Sequence, residues 1–406
     1  MTELDQFNNV KIKKRTHCVV CEKKCGTSLI KLPKFPLTEI YVDKKIEPTV
    51  GFVDQEFHFC SRCGHGQLIN IIDPYILYGS SYKTRTSTSQ SAIKAVDIFL
   101  EFVNKVIGNR KIETILEIGC NDLYILQKLK DKSNILYGID PMLKNKYNTF
   151  DDDKIKIIGD FIENVDLKTL GAFDIILSSH TIEHIENPKT MFENLITNSN
   201  ESTIFIFQFP GLESLINDAR FDQVFHQHLN YFSLQSIFYL INRVGGEVID
   251  FNINTYHWGA ILIAFKKKGD TKLNNVTIHD KQKITKKLIK TQYTIFKECM
   301  NITSIRLKVL KNETIYGYGA ALMLPILGYY INGLLNIKYI LDDDVNKKGY
   351  YYLNFPVQIT LPAEVNNFKN SIVIVTAINS TDSARAIVRK LIDLNIKEII
   401  LPTNIL

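Results

Sequence analysis

The chain predicts an α/β protein: a doubly wound sheet with a small cysteine-rich module ahead of it and a second, smaller α/β unit behind. Three observations carry that reading. Short apolar runs alternate with amphipathic helical stretches from Thr114 to about residue 268, the pattern of parallel strands joined by crossover helices. Five of the seven cysteines fall within the first 63 residues. A third block opens on Tyr316-Gly-Tyr-Gly-Ala320 and repeats the strand–helix alternation. The length of 406 residues accommodates two or three domains at roughly 150 residues each. The expected boundaries are 1–75 for the cysteine module, 76–268 for the main sheet, 269–310 for a linking helix and 311–406 for the last unit.

Within the first module, Cys18-Val-Val-Cys21 and Cys60-Ser-Arg-Cys63 are two CxxC turns separated by 38 residues. Each turn aims two sulfurs at one point, and two turns complete a tetrahedron, which is the spacing of a four-thiolate zinc ribbon. Four thiolates leave no open coordination position, so the expected zinc is structural. The module is too small and polar to fold by burial alone, so metal binding is expected to supply folding free energy. Cys25, His17, His58 and His65 lie close by as alternative ligands, with Cys25 read as a bystander. Cys120 and Cys299 stand alone and read as small apolar residues.

The main block begins with a helix over Ser91–Ile107, whose apolar residues at 92, 93, 96, 99, 100, 103, 106 and 107 form one face. Strands are expected at Thr114–Ile118, Ile135–Ile139, Ile155–Ile158, Phe173–Ser178, Thr203–Phe209 and Ala260–Phe265, with a helix at Leu123–Leu129. A lysine-rich stretch runs from Lys272 to about Leu310. Its apolar residues Ile284, Leu288, Ile295 and Ile302 recur at helical spacing, predicting a linking helix with a solvated basic face. In the tail, strands at Thr314–Tyr316, Ile337–Leu341, Ile372–Thr376 and Glu398–Leu401 alternate with helices at Leu322–Leu335 and Ala384–Leu394.

Ile115-Leu-Glu-Ile-Gly119-Cys-Asn-Asp122 is an apolar strand ending in a turn that brings backbone close to a ligand, which glycine permits. Asp140 ends the next strand, where a carboxylate can accept both hydroxyls of a ribose. Asp160-Phe161 ends the third, where an adenine amino group and ring face would be met. Glu117 would sit under an amine, and Asn121 belongs to the same loop. A nucleoside ligand without a pyrophosphate fits this set, and S-adenosylmethionine is such a ligand. His180 and His184, in Ser178-Ser-His-Thr-Ile-Glu-His-Ile185, lie just past the fourth strand, at the carboxyl edge where such sheets bind ligands. His226-Gln-His228 follows the strand ending at Phe209, and a neutral imidazole there can take a proton next to a carbonyl near neutral pH.

In this order, the paired CxxC module, the Glu117–Asp122 loop, the His226-Gln-His-Leu-Asn-Tyr-Phe-Ser233 segment and the Tyr316–Ala320 start of the last block resemble the zinc-containing sugar C-methyltransferases that act on nucleotide-linked deoxy-keto-sugars. The resemblance covers nearly the whole chain. It implies a class I methyltransferase Rossmann-like sheet, an N-terminal zinc ribbon and a C-terminal half-Rossmann domain, with the substrate between the middle and last domains. It implies that a base removes a proton next to a ketone and the enolate carbon attacks the sulfonium methyl. The second histidine of the family's Tyr-His-Glu-His segment is that base, and its position is His228. His226, Gln227, Tyr82 and His184 would shape the substrate side. The chain departs from the family's pattern at Phe225, usually Tyr; at Gln227, usually Glu; at Leu123, commonly Gly; and at Thr84, often Tyr. A neutral Gln227 cannot stabilise an imidazolium as a carboxylate would. O- or N-methylation of a nucleotide-sugar therefore stays open, as does a non-enzymatic zinc- and nucleotide-binding scaffold.

Gly317-Tyr-Gly319-Ala-Ala-Leu322 is an incomplete GxGxxG, followed by Asp342-Asp-Asp344 at the offset of a ribose acid. Read naively it is an NAD site; the resemblance instead implies a place for the nucleotide of the sugar donor. The net charge of +6 is mild and scattered, too weak to imply nucleic acid. No apolar run reaches the ~18 residues of a membrane span. The expected partner is a small nucleotide-sugar, with no nucleic acid and no membrane, for a cytoplasmic monomer or small homo-oligomer.

Overall fold

The structure, a computed structural model, describes residues 7, 10–78, 85–88, 90–144, 152–255, 259–269, 283–366, 368–378 and 381–403. The N-terminal part is built of β1 (Ile12–Lys14), β2 (Ile30–Pro36), β3 (Tyr41–Val42), β4 (Phe52–Cys60), β5 (His65–Leu68) and β6 (Asn70–Ile72), ending in the short helix α1 (Pro74–Leu77). Along β4, Val53, Gln55, Phe57 and Phe59 point inward at every second position, the period of a half-buried strand. A bulge between Leu32 and Phe35 on β2 absorbs one extra residue. This module is less polar than its length led us to expect. Phe35, Phe57, Phe59 and Leu68 are buried in one continuous core with residues of the C-terminal unit, so burial as well as any metal holds it.

The middle unit opens with helix α2 (Gln90–Ile107), which buries Ala95, Val96, Phe99, Phe102, Val103 and Ile107. There follow β7 (Thr114–Ile118), α3 (Tyr124–Lys128), β8 (Ile135–Ile139), β9 (Ile155–Ile158), β10 (Ile175–Ser179), α4 (Pro188–Thr197), β11 (Ile204–Pro210), α5 (Leu212–Asn217), β12 (Asn230–Tyr231), α6 (Leu234–Arg243), β13 (Gly246–Asn254) and β14 (Ala260–Lys267). Seven strands form one sheet in the order β13-β14-β11-β10-β7-β8-β9. β14 runs antiparallel between β11 and β13, and the other neighbours are parallel. Strand order reverses between β7 and β10, which opens a crevice at their carboxyl ends, where doubly wound sheets bind ligands. β12 leaves this sheet and pairs with β5, so the middle unit completes the N-terminal sheet β12-β5-β4-β2.

Helix α7 (Lys286–Val309) links to the last unit. Its buried stripe is Ile289, Phe296, Met300, Thr303, Ser304 and Leu307, one position away from the predicted one; Ile295 and Ile302 are exposed. The last unit comprises β15 (Ile315–Tyr318), α8 (Leu324–Tyr330), β16 (Ile340–Leu341), β17 (Tyr351–Tyr352), β18 (Ile359–Thr360), β19 (Ile372–Val375), α9 (Thr381–Asp393) and β20 (Glu398–Ile400). A parallel sheet runs β18-β16-β15-β19-β20. It docks on the N-terminal module through β17 paired with β3. The Asn354 amide also donates to the carbonyls of Leu37 (2.8 Å) and Gly51 (2.9 Å). No helix among the described residues is long and apolar enough to cross a membrane.

Candidate functional site

The crevice is built from the loop after β7 and the segment after β10. Gly119 sits at φ +76°, the left-handed region that favours glycine. A Cβ there would lie 1.9 Å from Thr181 Oγ1, so the two segments touch at this residue. Asn121 and Leu123 are also left-handed, at φ 45° and 66°; the latter explains why glycine suits position 123. Glu117 is buried, and its Oε2 has no hydrogen-bond partner among the described residues. Burial first, then Asp140 and Asp122, hold its carboxyl well above the usual range. A buried, unsatisfied carboxyl beside the loop fits a ligand amine.

Asp140 accepts the Asn121 N–H and the Met142 N–H, each at 2.8 Å, and so holds the loop. Asp160 accepts the Asn164 side-chain amide and the Phe161 N–H, both at 2.7 Å. These bonds, Asn164 first, keep its carboxyl below the ordinary value. Phe161 meets Tyr75 edge to face at 5.2 Å. The residues expected at the cofactor therefore line the ends of β7, β8, β9 and β10 as a set.

His180 is left-handed at φ 52°, and burial depresses its imidazole to about 4. Its Nδ1 lies 3.5 Å from Glu183 Oε1. His184 Nδ1 lies 2.8 Å from the Gln227 carbonyl and 2.8 Å from Tyr78 Oη. A carbonyl only accepts, so Nδ1 is the donor in that bond, and Nε2 is turned to Glu183 Oε1 at 3.9 Å. His228 packs on Phe225 (4.0 Å between ring centroids) and on His184 (5.0 Å). The Asn230 amide donates to the carbonyls of Ile185 (2.7 Å) and Ile182 (3.3 Å). Arg15 donates to Asn230 Oδ1 (3.1 Å) and to the Glu186 carbonyl (2.5 Å). The N-terminal module thus braces the turn that carries His184.

Of the predicted reaction residues, the structure brings His184 and His228 together with Glu183, on the segment whose Thr181 touches Gly119. His226 and Gln227 face the N-terminal module instead. His226 donates from Nε2 to the Phe35 carbonyl (3.2 Å) and accepts at Nδ1 from the Gln55 amide (3.1 Å); burial depresses its imidazole to about 4. Gln227 is bonded twice to Thr38, through its hydroxyl (2.9 Å) and its carbonyl (3.0 Å). Tyr82 lies outside the described residues. Sequence reasoning passed over Glu183, which is 1% exposed and surrounded by histidines. The only signal was its place three residues after one histidine and directly before another.

Cys18, Cys21, Cys60 and Cys63 are buried with all four sulfurs within 4.8 Å of one another. Sγ–Sγ separations are 3.6 Å for Cys18–Cys63 and 3.5 Å for Cys21–Cys60. A tetrahedron of sulfurs about 2.3 Å from a central ion has edges of about 3.8 Å, so the donor set and its spacing fit zinc. The thiols compete for protons: Cys18 pushes Cys60 down, while Cys60 raises Cys18 and Cys18 raises Cys63. His65 packs on Phe232 with its ring tilted, 4.8 Å between centroids, and neither it, His17, His58 nor Cys25 belongs to the cluster. In the last unit, Asp342 accepts the Ala320 N–H at 2.6 Å, so the acid at the ribose position is tied to its own glycine loop.

A family model described as a methyltransferase domain matches residues 91–250. The C-methyltransferase NovU of Streptomyces niveus is 24% identical over 208 residues, covering 50% of this chain and 49% of its own length. The chain thus spans about half the length of the curated relative it matches. Among solved structures, a putative S-adenosylmethionine-dependent methyltransferase from Listeria monocytogenes is 13% identical, with 43% of this chain and 100% of that one covered and a TM-score of 0.35. The N-methyltransferase NodS of Bradyrhizobium japonicum, in complex with S-adenosyl-L-homocysteine, is 13% identical over 43% of this chain and 87% of that one, with a TM-score of 0.34. By its matched residues and its sheet order, the middle of this chain is a methyltransferase domain of the class I fold.

Proposed function

We propose that the chain is a methyltransferase that methylates carbon next to the ketone of a nucleotide-activated deoxy-sugar, with His228 as the base. The observation that carries this reading is the convergence of His228, His184 and Glu183 on the segment that touches Gly119. A proton-accepting cluster there stands beside the loop expected to hold the methyl donor. S-adenosylmethionine, when bound, supplies an electrophilic methyl. Glu117, Asp140 and Asp160 would hold its amine, ribose and adenine. His228 takes the proton next to the ketone, and the packed rings of Phe225 and His184 fix its orientation and exclude water. The NovU relative, described as a C-methyltransferase, supports carbon as the acceptor. The four buried thiolates would hold a structural zinc, which leaves no coordination position for substrate.

Methyl transfer from S-adenosylmethionine to a panel of nucleoside-diphosphate keto-deoxy-sugars tests the proposal. His228→Asn abolishes transfer while calorimetry with S-adenosylhomocysteine stays within about two-fold of the parent; a general base contributes roughly 10²–10⁴-fold. Full turnover in that variant would overturn the assignment. No binding of S-adenosylhomocysteine by the parent would favour a scaffold.

A further inference from the structure

We propose that Glu183 is the positioning residue for His228: its buried carboxylate is the counter-charge that lets the imidazole hold a proton. This rests on the reading of His228 as the base. Three observations carry it. Glu183 is 1% exposed, and neither oxygen has a hydrogen-bond partner among the described residues. Three imidazoles face Oε1: His180 Nδ1 at 3.5 Å, His184 Nε2 at 3.9 Å and His228 Nε2 at 4.0 Å. Among the described residues its ion pairs are with histidines and with no lysine or arginine.

The three rings differ in what else holds them. His184 donates from Nδ1 to the Gln227 carbonyl. His180 lies on the same turn as Glu183 and is kept uncharged by burial near neutral pH. His228 comes from the separate 225–229 segment and turns its Nε2 to Glu183 Oε1 at 4.0 Å. Gln227, next to it in sequence, is neutral and bonded to Thr38. In the reaction the C–H bond next to the ketone breaks, an N–H bond forms on the His228 ring, and the electron pair stays on the substrate as the enolate. The positive charge gained by the ring then faces the Glu183 carboxylate rather than apolar surroundings. Tyr78 reaches the cluster through His184, its Oη lying 2.8 Å from Nδ1. Burial raises the Glu183 carboxyl to about 7, so the counter-charge is present above neutrality and is lost as pH falls through that value.

The test uses the full-length ¹⁵N-labelled chain and needs no sugar substrate, so it stands or fails separately from the methyl-transfer reading. Imidazole nitrogens are titrated by NMR, with His228→Asn assigning the His228 signal. In Glu183→Gln the His228 ring releases its proton at a pH lower by about one unit or more, while Glu183→Asp recovers at least half of that difference. A His228 titration unchanged by Glu183→Gln overturns the proposal. So does the loss of one equivalent of bound zinc in that variant, which would make the cluster a metal site. Should the amide variant not fold, the parent chain decides alone. There the His228 shifts respond to the step at which the ¹³C signal of the Glu183 carboxyl titrates; no response overturns the pairing.

Discussion

Replacing Glu183 by glutamine changes stability in a pH-dependent way whose size follows from burial. The folded chain holds the Glu183 proton up to about pH 7, whereas the ordinary value in an unfolded chain is 4.5. Burial is the larger cause, and His184 offsets part of it. Between those values the folded state binds a proton that the unfolded state has released, so stability falls as pH rises. The favourable contribution is complete below about 4.5 and is gone above about 7. Integrated from about pH 5.5 to about pH 8.5, the loss is about 2 kcal/mol. Glutamine does not titrate, so the stability of Glu183→Gln relative to the parent should improve by about 2 kcal/mol across that range. Urea unfolding at three pH values, with zinc and ionic strength held constant, measures it, with m-values equal for the two chains. A difference that stays flat with pH, or one that grows toward low pH, refutes the reasoning. The second outcome would mean that the histidines hold Glu183 ionised.

Two other expectations concern the cofactor loop and the thiolates. Gly119→Ala places a Cβ 1.9 Å from Thr181 Oγ1 at φ +76°, so the loop or the 180–184 segment must shift. The variant's affinity for S-adenosylhomocysteine should fall by about ten-fold, from the roughly 1–2 kcal/mol that a left-handed alanine alone costs. Thr181→Ala in the same chain should restore part of the affinity, and no loss in the single variant would separate the loop from the ligand. Metal analysis should find one zinc per chain, and chelation or Cys60→Ser should destabilise the N-terminal sheet by several kcal/mol, read as faster amide exchange along β4 and β5. Well under one zinc per chain contradicts the thiolate reading.

The main sheet was legible because its strands are short apolar runs buried on both faces, such as Ile204–Phe209, and because Gly119 marks the turn after the first. β13 was not anticipated, since most of its residues are only partly buried and no sharp alternation marks it. The α7 stripe was misplaced by one residue because isoleucines occur on both its buried and its exposed faces. β12 pairing with β5, and β17 with β3, are two-residue pairings between segments far apart in sequence, which local periodicity cannot encode. At the site, the residue types in the 225–231 loop were informative but their directions were not. An irregular loop has no fixed period, so nothing in the string told that His228 faces His184 while His226 faces Gln55. Glu183 was overlooked for the same reason: a carboxylate between two histidines reads as a polar surface turn until three imidazoles are seen around it.

The central claim is carbon methylation through removal of a proton next to a ketone. Mass spectrometry of the product formed from S-adenosylmethionine and a nucleoside-diphosphate keto-deoxy-sugar deuterated at the carbons flanking the ketone tests it most directly. The account predicts a product that has gained one methyl group and lost one deuterium, and no such product with His228→Asn. A methylated product that keeps all of its deuterium would place the methyl on oxygen or nitrogen and contradict the account.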